Sequence, residues 1–220
     1  MISTAQGRFA ISNGHLFILK LGRKGIIFLI NSHQVSMSNL TPTIRPEKTS
    51  DEDTISNVIA AAFAPLDISS HTEMFIVAAL RSSGALTLSL VAELANRIVG
   101  HIAFSPVVIA DGTMGWYGIG PLSVLPAFQQ RGIGKALMKA GLAQMKASGA
   151  NGCCLVGHPQ YYRKFGFVNP AGLWVEGVPN EVFFALSFAG VYPQGSVTFH
   201  QAFQATGPTS SLEDPSSTAS

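Results

Sequence analysis

The sequence predicts a mixed α/β domain, in which an antiparallel meander of strands leads through a helix into a parallel crossover. Three observations predict it. Two turn signals, Ala95-Asn96-Arg97 and Asp111-Gly112, separate three strand-like runs and so set two hairpins in a row. A long pattern of helical spacing over 132–149 follows the third run. Gly152–Val156 then reads as a further strand, which a helical crossover would lay parallel to the one before it. At 220 residues the chain is long enough to bury one sizeable core.

Taken in order, Thr43-Ile44-Arg45 reads as a first short strand, stopped by Pro46. Ser50 is the expected N-cap of the next helix, with Asp51, Glu52 and Asp53 in a first turn where acids suit the dipole. Ile55, Val58, Ile59 and Ala62 recur at helical spacing up to Phe63, and Pro65 closes the segment. A second helix is expected from Thr72 to Arg81, ended by Gly84. The meander strands are Leu86–Glu93, Ile98–Ile109 and Gly115–Val124, with Gly100 and Pro106 as irregular points in the middle one. Beyond the long helix come the strand at 152, a short helix over Gln160–Phe165, a break at Gly166 and strand-like Phe167-Val168. Glu181–Phe188 is the last apolar strand, expected to pair with Val197–His200.

A composition shift near Asn39 places the domain at 41–206. The start is basic and acid-free up to Glu47, as in organelle transit peptides, but its apolar spacing is not amphipathic. Residues 1–40 therefore read as an extension outside the domain, either disordered or preceding a true start at Met37. The Ser-, Thr- and Pro-rich tail over 207–220 is expected to be disordered.

A net charge of +2 with no basic stripe argues against nucleic acid as a partner. The apolar run Ile26–Ile30 is too short to span a membrane. Cys153 and Cys154 are neighbours that a strand would point to opposite faces, so they read as buried fillers in a reducing, cytoplasmic setting. No metal-ligand spacing surrounds them.

The chemistry concentrates at the start of the long helix, where Gln129, Gln130 and Arg131 precede Gly132-Ile133-Gly134-Lys135. Helix N-termini present unpaired N–H groups to anions, and glycines let a phosphate approach the backbone. Arg131 can add a charge-assisted contact. A Walker loop is excluded, because Gln129 occupies its first glycine place and Ala136 follows Gly134-Lys135. A dinucleotide fingerprint is excluded by Leu137 at the third glycine place and by the antiparallel strands before it. The remaining pattern is Gln/Arg-x-x-Gly-x-Gly/Ala after a strand.

This pattern resembles the acyl-donor motif of the GNAT superfamily of N-acetyltransferases. GHIAFSPV (100–107), GWYGIGPLSVLP (115–126), GHPQYYRKFGF (157–167) and VYPQGSVTFHQAF (191–203) are similar to its YhbS-like branch. The resemblance covers residues 43–203 and implies a mixed, mostly antiparallel sheet flanked by helices, with two splayed strands holding acetyl-CoA. It implies a bulge in the strand before the helix, and pantetheine paired to the backbone of Leu122, Ser123 and Val124 as a pseudo-strand. One N–H there would polarise the thioester carbonyl. Gln129 to Lys135 would cradle the pyrophosphate.

Tyr162, four residues before Gly166-Phe167, matches the family's proton donor to the departing thiolate, and Tyr161 should point elsewhere. His101 is the candidate base, with Glu93, His158 and a water relay through Trp116–Tyr117 as alternatives. Trp116, Tyr117, Phe104 and Trp174 could line an acceptor pocket, with Phe104 more at home in the core. The expected function is acetyl transfer from acetyl-CoA to a primary amine, without a metal, by a monomer or homodimer. A non-catalytic acyl-CoA sensor and a peptide-binding groove are the competing readings.

Overall fold

The computed structural model describes residues 3–4, 7–12, 15–18, 41–66, 69 and 71–208. The chain divides into two units, Met1–Asn39 and Leu40–Ser220. In the first, β1 (Ser3–Thr4), β2 (Gly7–Ser12) and β3 (His15–Ile18) pair antiparallel in sequence order. The rest of the expected N-terminal extension, and the tail from residue 209, lie outside the described residues.

The second unit holds β4 (Thr43–Pro46), α1 (Glu52–Phe63), α2 (Glu73–Ser82), β5 (Leu88–Leu94), β6 (Arg97–Ile109) and β7 (Trp116–Val124). After these come α3 (Ile133–Ala147), β8 (Gly152–Val156), α4 (Pro159–Tyr162), β9 (Leu173–Trp174), β10 (Phe183–Ser187) and β11 (Gly195–Phe199). The meander is as the turn signals require. Leu94 pairs with Arg97, so Ala95 and Asn96 form a two-residue hairpin loop, both with positive φ. The crossover through α3 lays β8 parallel to β7.

Cap chemistry differs from expectation at α1. A 3₁₀ turn over Thr49–Asp51 precedes it, and Asp51 rather than Ser50 takes the N-cap position of α1, its side chain capping the 3₁₀ turn and not the helix. The Asp51 carboxylate accepts from the Lys48 N–H at 2.8 Å and pairs with Arg45 at 2.6 Å.

The thirteen-residue β6 organises the sheet. On one side its first part pairs with β5, as far as Phe104 against Leu88, and Val107–Phe199 to Ile109–Val197 pair with β11. Pro106 lies between the two partners, where a missing N–H costs no ladder bond. This corrects the expected pairing of Val197–His200 with the last apolar strand. β10 pairs antiparallel with β8 instead, and β11 completes the edge that β5 leaves open. The other predicted irregularity is also real: Ala92 opposes Gly100 and Glu93 opposes Ile98, so Val99 is an extra residue.

Both faces of the sheet are covered. On one, Ile133, Leu137, Met138 and Met145 of α3 pack with Leu90, Ile102, Phe104 and Phe184. On the other, Ile55, Val58, Ile59 and Val77 of α1 and α2 cover Val91, Ile98 and Ala103. Cys153 belongs to the first core and Cys154 to a third around Trp116 and Val197, as alternation demands. Burial pushes the Cys153 thiol up to about 12, and both cysteines are free.

The approach of α3 is set by glycine. A Cβ on Gly141 would stand 2.5 Å from the Phe104 ring, and one on Gly100 would meet Leu137 at 3.0 Å. Gly141→Val should therefore overpack this layer and cost about 1–3 kcal/mol. Urea unfolding monitored by circular dichroism checks this, and an unchanged midpoint would contradict the close contact.

Candidate active site

The site begins where two strands part. β7 and β8 are paired only at Trp116–Gly152, Tyr117–Cys153 and Gly118–Cys154. Past Gly118 the pairing ends, while β8 keeps its antiparallel bonds to β10 along its whole length. On the other side of β7, Ile102 opposes Leu122 and Phe104 opposes Ile119. Gly120 and Pro121 thus form a bulge opposite Ala103, at the point of separation. In the restored register, Leu125 donates to the Val99 carbonyl. Alternation then turns the Ser123 amide toward β6, and those of Leu122 and Val124 into the gap. The three predicted residues divide accordingly. Leu122 and Val124 offer a free strand edge, whereas the Ser123 side chain is buried on the α1 face with no hydrogen-bond partner among the described residues.

At the end of β7 the chain turns through a 3₁₀ segment, Pro126–Phe128, into the glycine loop. Gln129 donates from Nε2 to the Val124 carbonyl at 3.0 Å, tying the loop to the strand. Gln130 has φ +60° and Gly132, the N-cap of α3, has φ +82°. The first helical bond runs from Ala136 N–H to Gly132 C=O, so the N–H groups of Ile133, Gly134 and Lys135 point out of the helix start. Ile133 anchors this turn in the core, and Lys135 is exposed. The Arg131 guanidinium stacks 5.5 Å from the Phe128 ring centroid. The first turn holds no acid.

The two glycines do different work. A Cβ on Gly132 would meet nothing within 4 Å, so its need is the left-handed conformation and an open backbone. A Cβ on Gly134 would lie 2.7 Å from the Tyr161 hydroxyl and 3.7 Å from a Val124 methyl. Tyr161 points elsewhere than Tyr162, as adjacent helical positions require, and lies over the first turn of α3. Sequence spacing alone could not show that destination, because α4 is a single turn whose direction depends on the β8 end.

Tyr162 packs beyond the end of β8, its ring against Gly157, with Phe167 and Phe184 at 6.2 and 6.3 Å between centroids. Burial, then the neighbouring Tyr161, pushes its phenol up to about 12, so it keeps its proton across the physiological range.

His101 sits on the opposite face and is fully buried. Its Nε2 is 2.8 Å from Ser89 Oγ, and Ser89 in turn donates to Glu47, which holds Arg81 through two bonds of 2.9 and 3.0 Å. Burial lowers the imidazole to about 4, against the pull of Glu47. Glu47 itself stays below the usual carboxylate range: burial raises it, but the bonds from Arg81 and Ser89 and the charge of Arg81 outweigh that. Of the alternatives, Glu93 is paired with Arg45 at 2.7 Å and His158 is exposed at the start of α4. Phe104 and Trp116 are core residues in different clusters, Tyr117 packs partly buried against the Phe104 cluster, and Trp174 is exposed, so the four aromatics form no common pocket. Among the described residues no group of three or more His, Cys, Asp or Glu could hold a metal. No helix among them is long and apolar enough to cross a membrane.

Residues 86–169, which contain the meander, the gap and the loop, match the model of the acetyltransferase (GNAT) domain. A GNAT family acetyltransferase from Brucella melitensis, solved in complex with acetyl-CoA, is 47% identical. The match covers 74% of this chain and 98% of that one, with a TM-score of 0.67. The chain belongs to the GNAT acetyltransferase family. The GNAT N-acetyltransferase YhbS from Escherichia coli, solved with CoA, superposes with a TM-score of 0.69 at 29% identity, over 77% of this chain and 95% of that one. Against the curated N-acetyltransferase YhbS of Escherichia coli K12 the identity is 34% over 99 residues, 44% of this chain. The match spans 59% of that relative's length. The splayed strands and the glycine-capped helix both lie within the residues that match the GNAT domain.

The buried imidazole makes stability depend on pH. Its folded-state pKa of about 4 lies below the ordinary 6.5, so the unfolded chain takes up the proton first as pH falls. The His101 contribution is complete above pH 6.5 and is lost on the way to pH 4, by about 3 kcal/mol. Glu47, depressed below the usual range, adds a loss at still lower pH. Denaturation midpoints of wild type and His101→Asn at pH 7.5 and 4.5 test this, with a shallower fall expected in the variant.

Proposed function

We propose that this GNAT domain is an acetyl-CoA-dependent N-acetyltransferase that transfers the acetyl group directly to a primary amine. The observation that carries the reading is the gap between β7 and β8, with the open Gly132 backbone at its mouth. The free edge at Leu122 and Val124 suits an extended chain bearing amide groups, as in pantetheine. The outward N–H groups of Ile133, Gly134 and Lys135 suit a pyrophosphate. The relative at 47% identity was solved with acetyl-CoA bound. Acetyl-CoA supplies an activated thioester.

The chain's own residues then have definite tasks. A backbone N–H at Leu122 or Val124 stabilises charge developing on the thioester oxygen, and because it is fixed it needs no reorganisation. Tyr162, protonated beside the gap, donates to the departing sulfur. In this reading His101 supports the sheet rather than the proton transfer, since its ring has no exposed atom and its basicity is low. Water in the gap takes the amine proton.

Calorimetric titration with acetyl-CoA, using ATP and NAD as controls, tests the donor. Binding of acetyl-CoA alone is expected, and Gly132→Glu, which puts a charge into the cradle, should abolish it. Equal binding of all three would overturn the site. Tyr162→Phe should lower kcat by about 10²-fold with little change in acetyl-CoA affinity. Unchanged turnover would remove Tyr162 as the acid, and binding without turnover on any amine would favour an acyl-CoA sensor.

A further inference from the structure

Tyr161 is not needed by the proton transfer just described, yet it is placed with care. Its hydroxyl lies over Gly134, in the corner between the end of β7 and the first turn of α3. Its ring is held by Tyr162, at 5.0 Å in an edge-to-face pair, and by Phe165 at 5.4 Å. The Lys164 ammonium stands 4.0 Å from the centroid of the same ring. This brings a third positive charge to the start of α3, where Arg131 and Lys135 are exposed and the first turn holds no acid. The phenol is partly buried, and burial raises its pKa, so it is a hydrogen-bond donor rather than an anion.

We infer that Tyr161 and Lys164 form a phosphate-recognition arm that closes the cradle from the β8 side and makes the site selective for phosphorylated pantetheine thioesters. The inference rests on the acetyl-CoA reading of the gap. The phenol donates to the pyrophosphate at the turn it covers. The ammonium, carried on the face of that ring, adds a charge-assisted contact to a phosphate oxygen. Gly134 is part of the same device: its missing Cβ is the space in which the hydroxyl stands.

The test compares acetyl-CoA with S-acetylpantetheine, which carries the same thioester and no phosphate, by calorimetry on the full chain. Wild type should bind acetyl-CoA far more tightly. Tyr161→Phe and the exposed Lys164→Gln should each weaken acetyl-CoA by about tenfold, and leave S-acetylpantetheine unchanged. Equal losses for both ligands, or none for acetyl-CoA, would overturn the inference while leaving the proposed function standing. Failure of wild type to bind acetyl-CoA would overturn the reading beneath both. Gly134→Ala supplies a separate check. It should weaken acetyl-CoA binding in wild type, but cost little once Tyr161→Phe has removed the hydroxyl that it would strike. Additive losses in the double variant would contradict the assigned contact. Circular dichroism and melting of each variant confirm that it is folded.

Discussion

The parting of β7 from β8 after Gly118 is the feature on which the rest of the site depends. A continuous parallel pair would bury every backbone group of both strands and leave nothing for a ligand. Here the bulge at Gly120–Pro121 shifts the β6 register by one residue, and the Leu122 and Val124 amides emerge on an edge without a strand. β8 does not follow, because five pairs with β10 hold it on its other side. The cleft is therefore a property of the ladder and not of a mobile loop. Its width is fixed by two rigid edges, as the proposed alignment of a thioester requires.

The long helix extends the same logic. Gly100 and Gly141 let α3 settle onto β6 closely enough that its first turn meets the end of β7. Ile133 and Leu137 bury immediately after the glycine loop, so the outward N–H groups are anchored by core packing one residue away. Precision at the cradle thus derives from hydrophobic contact behind it. The opposite face carries the Glu47–Arg81–Ser89–His101 network, which ties β4's exit, α2, β5 and β6 together. Such a cluster is costly to bury unless it is well partnered. Nearly every member here is bonded, with His101 Nδ1 as the exception among its atoms.

What was legible in the sequence follows from how local each signal is. Helical spacing in 52–63 and 133–147, the hairpin at Ala95-Asn96 and the glycine loop are decided within a few residues, and the structure places them as read. Gly100 and Pro106 also announced their irregularities, because glycine and proline alter backbone options directly. The partner of Val197–Phe199 was not legible. That choice depends on where β5 stops along β6, which is a fact about a distant element. The cap on α1 failed for a related reason: Asp51 is drawn back toward Lys48 and Arg45, and Arg45 owes its position to β4.

The same distinction separates the residues of the site. Gln129, Gly132 and Gly134 stand at fixed spacing across one loop and the first turn of the helix it opens, so a motif can find them. His101 looked available because strand alternation gives a face but not what covers it, and α1 covers that face. Tyr161 looked irrelevant because adjacent residues on a helix diverge by a known angle, while the direction of a single-turn helix does not follow from its own sequence. Yet the second glycine of the loop already carried a trace of it. The proposed phosphate cradle accounts for a bare, left-handed Gly132, whereas Gly134 takes ordinary helical geometry and needs a different reason to lack a side chain. The Tyr161 hydroxyl is that reason, so a glycine read as ligand space is also the imprint of a neighbouring side chain.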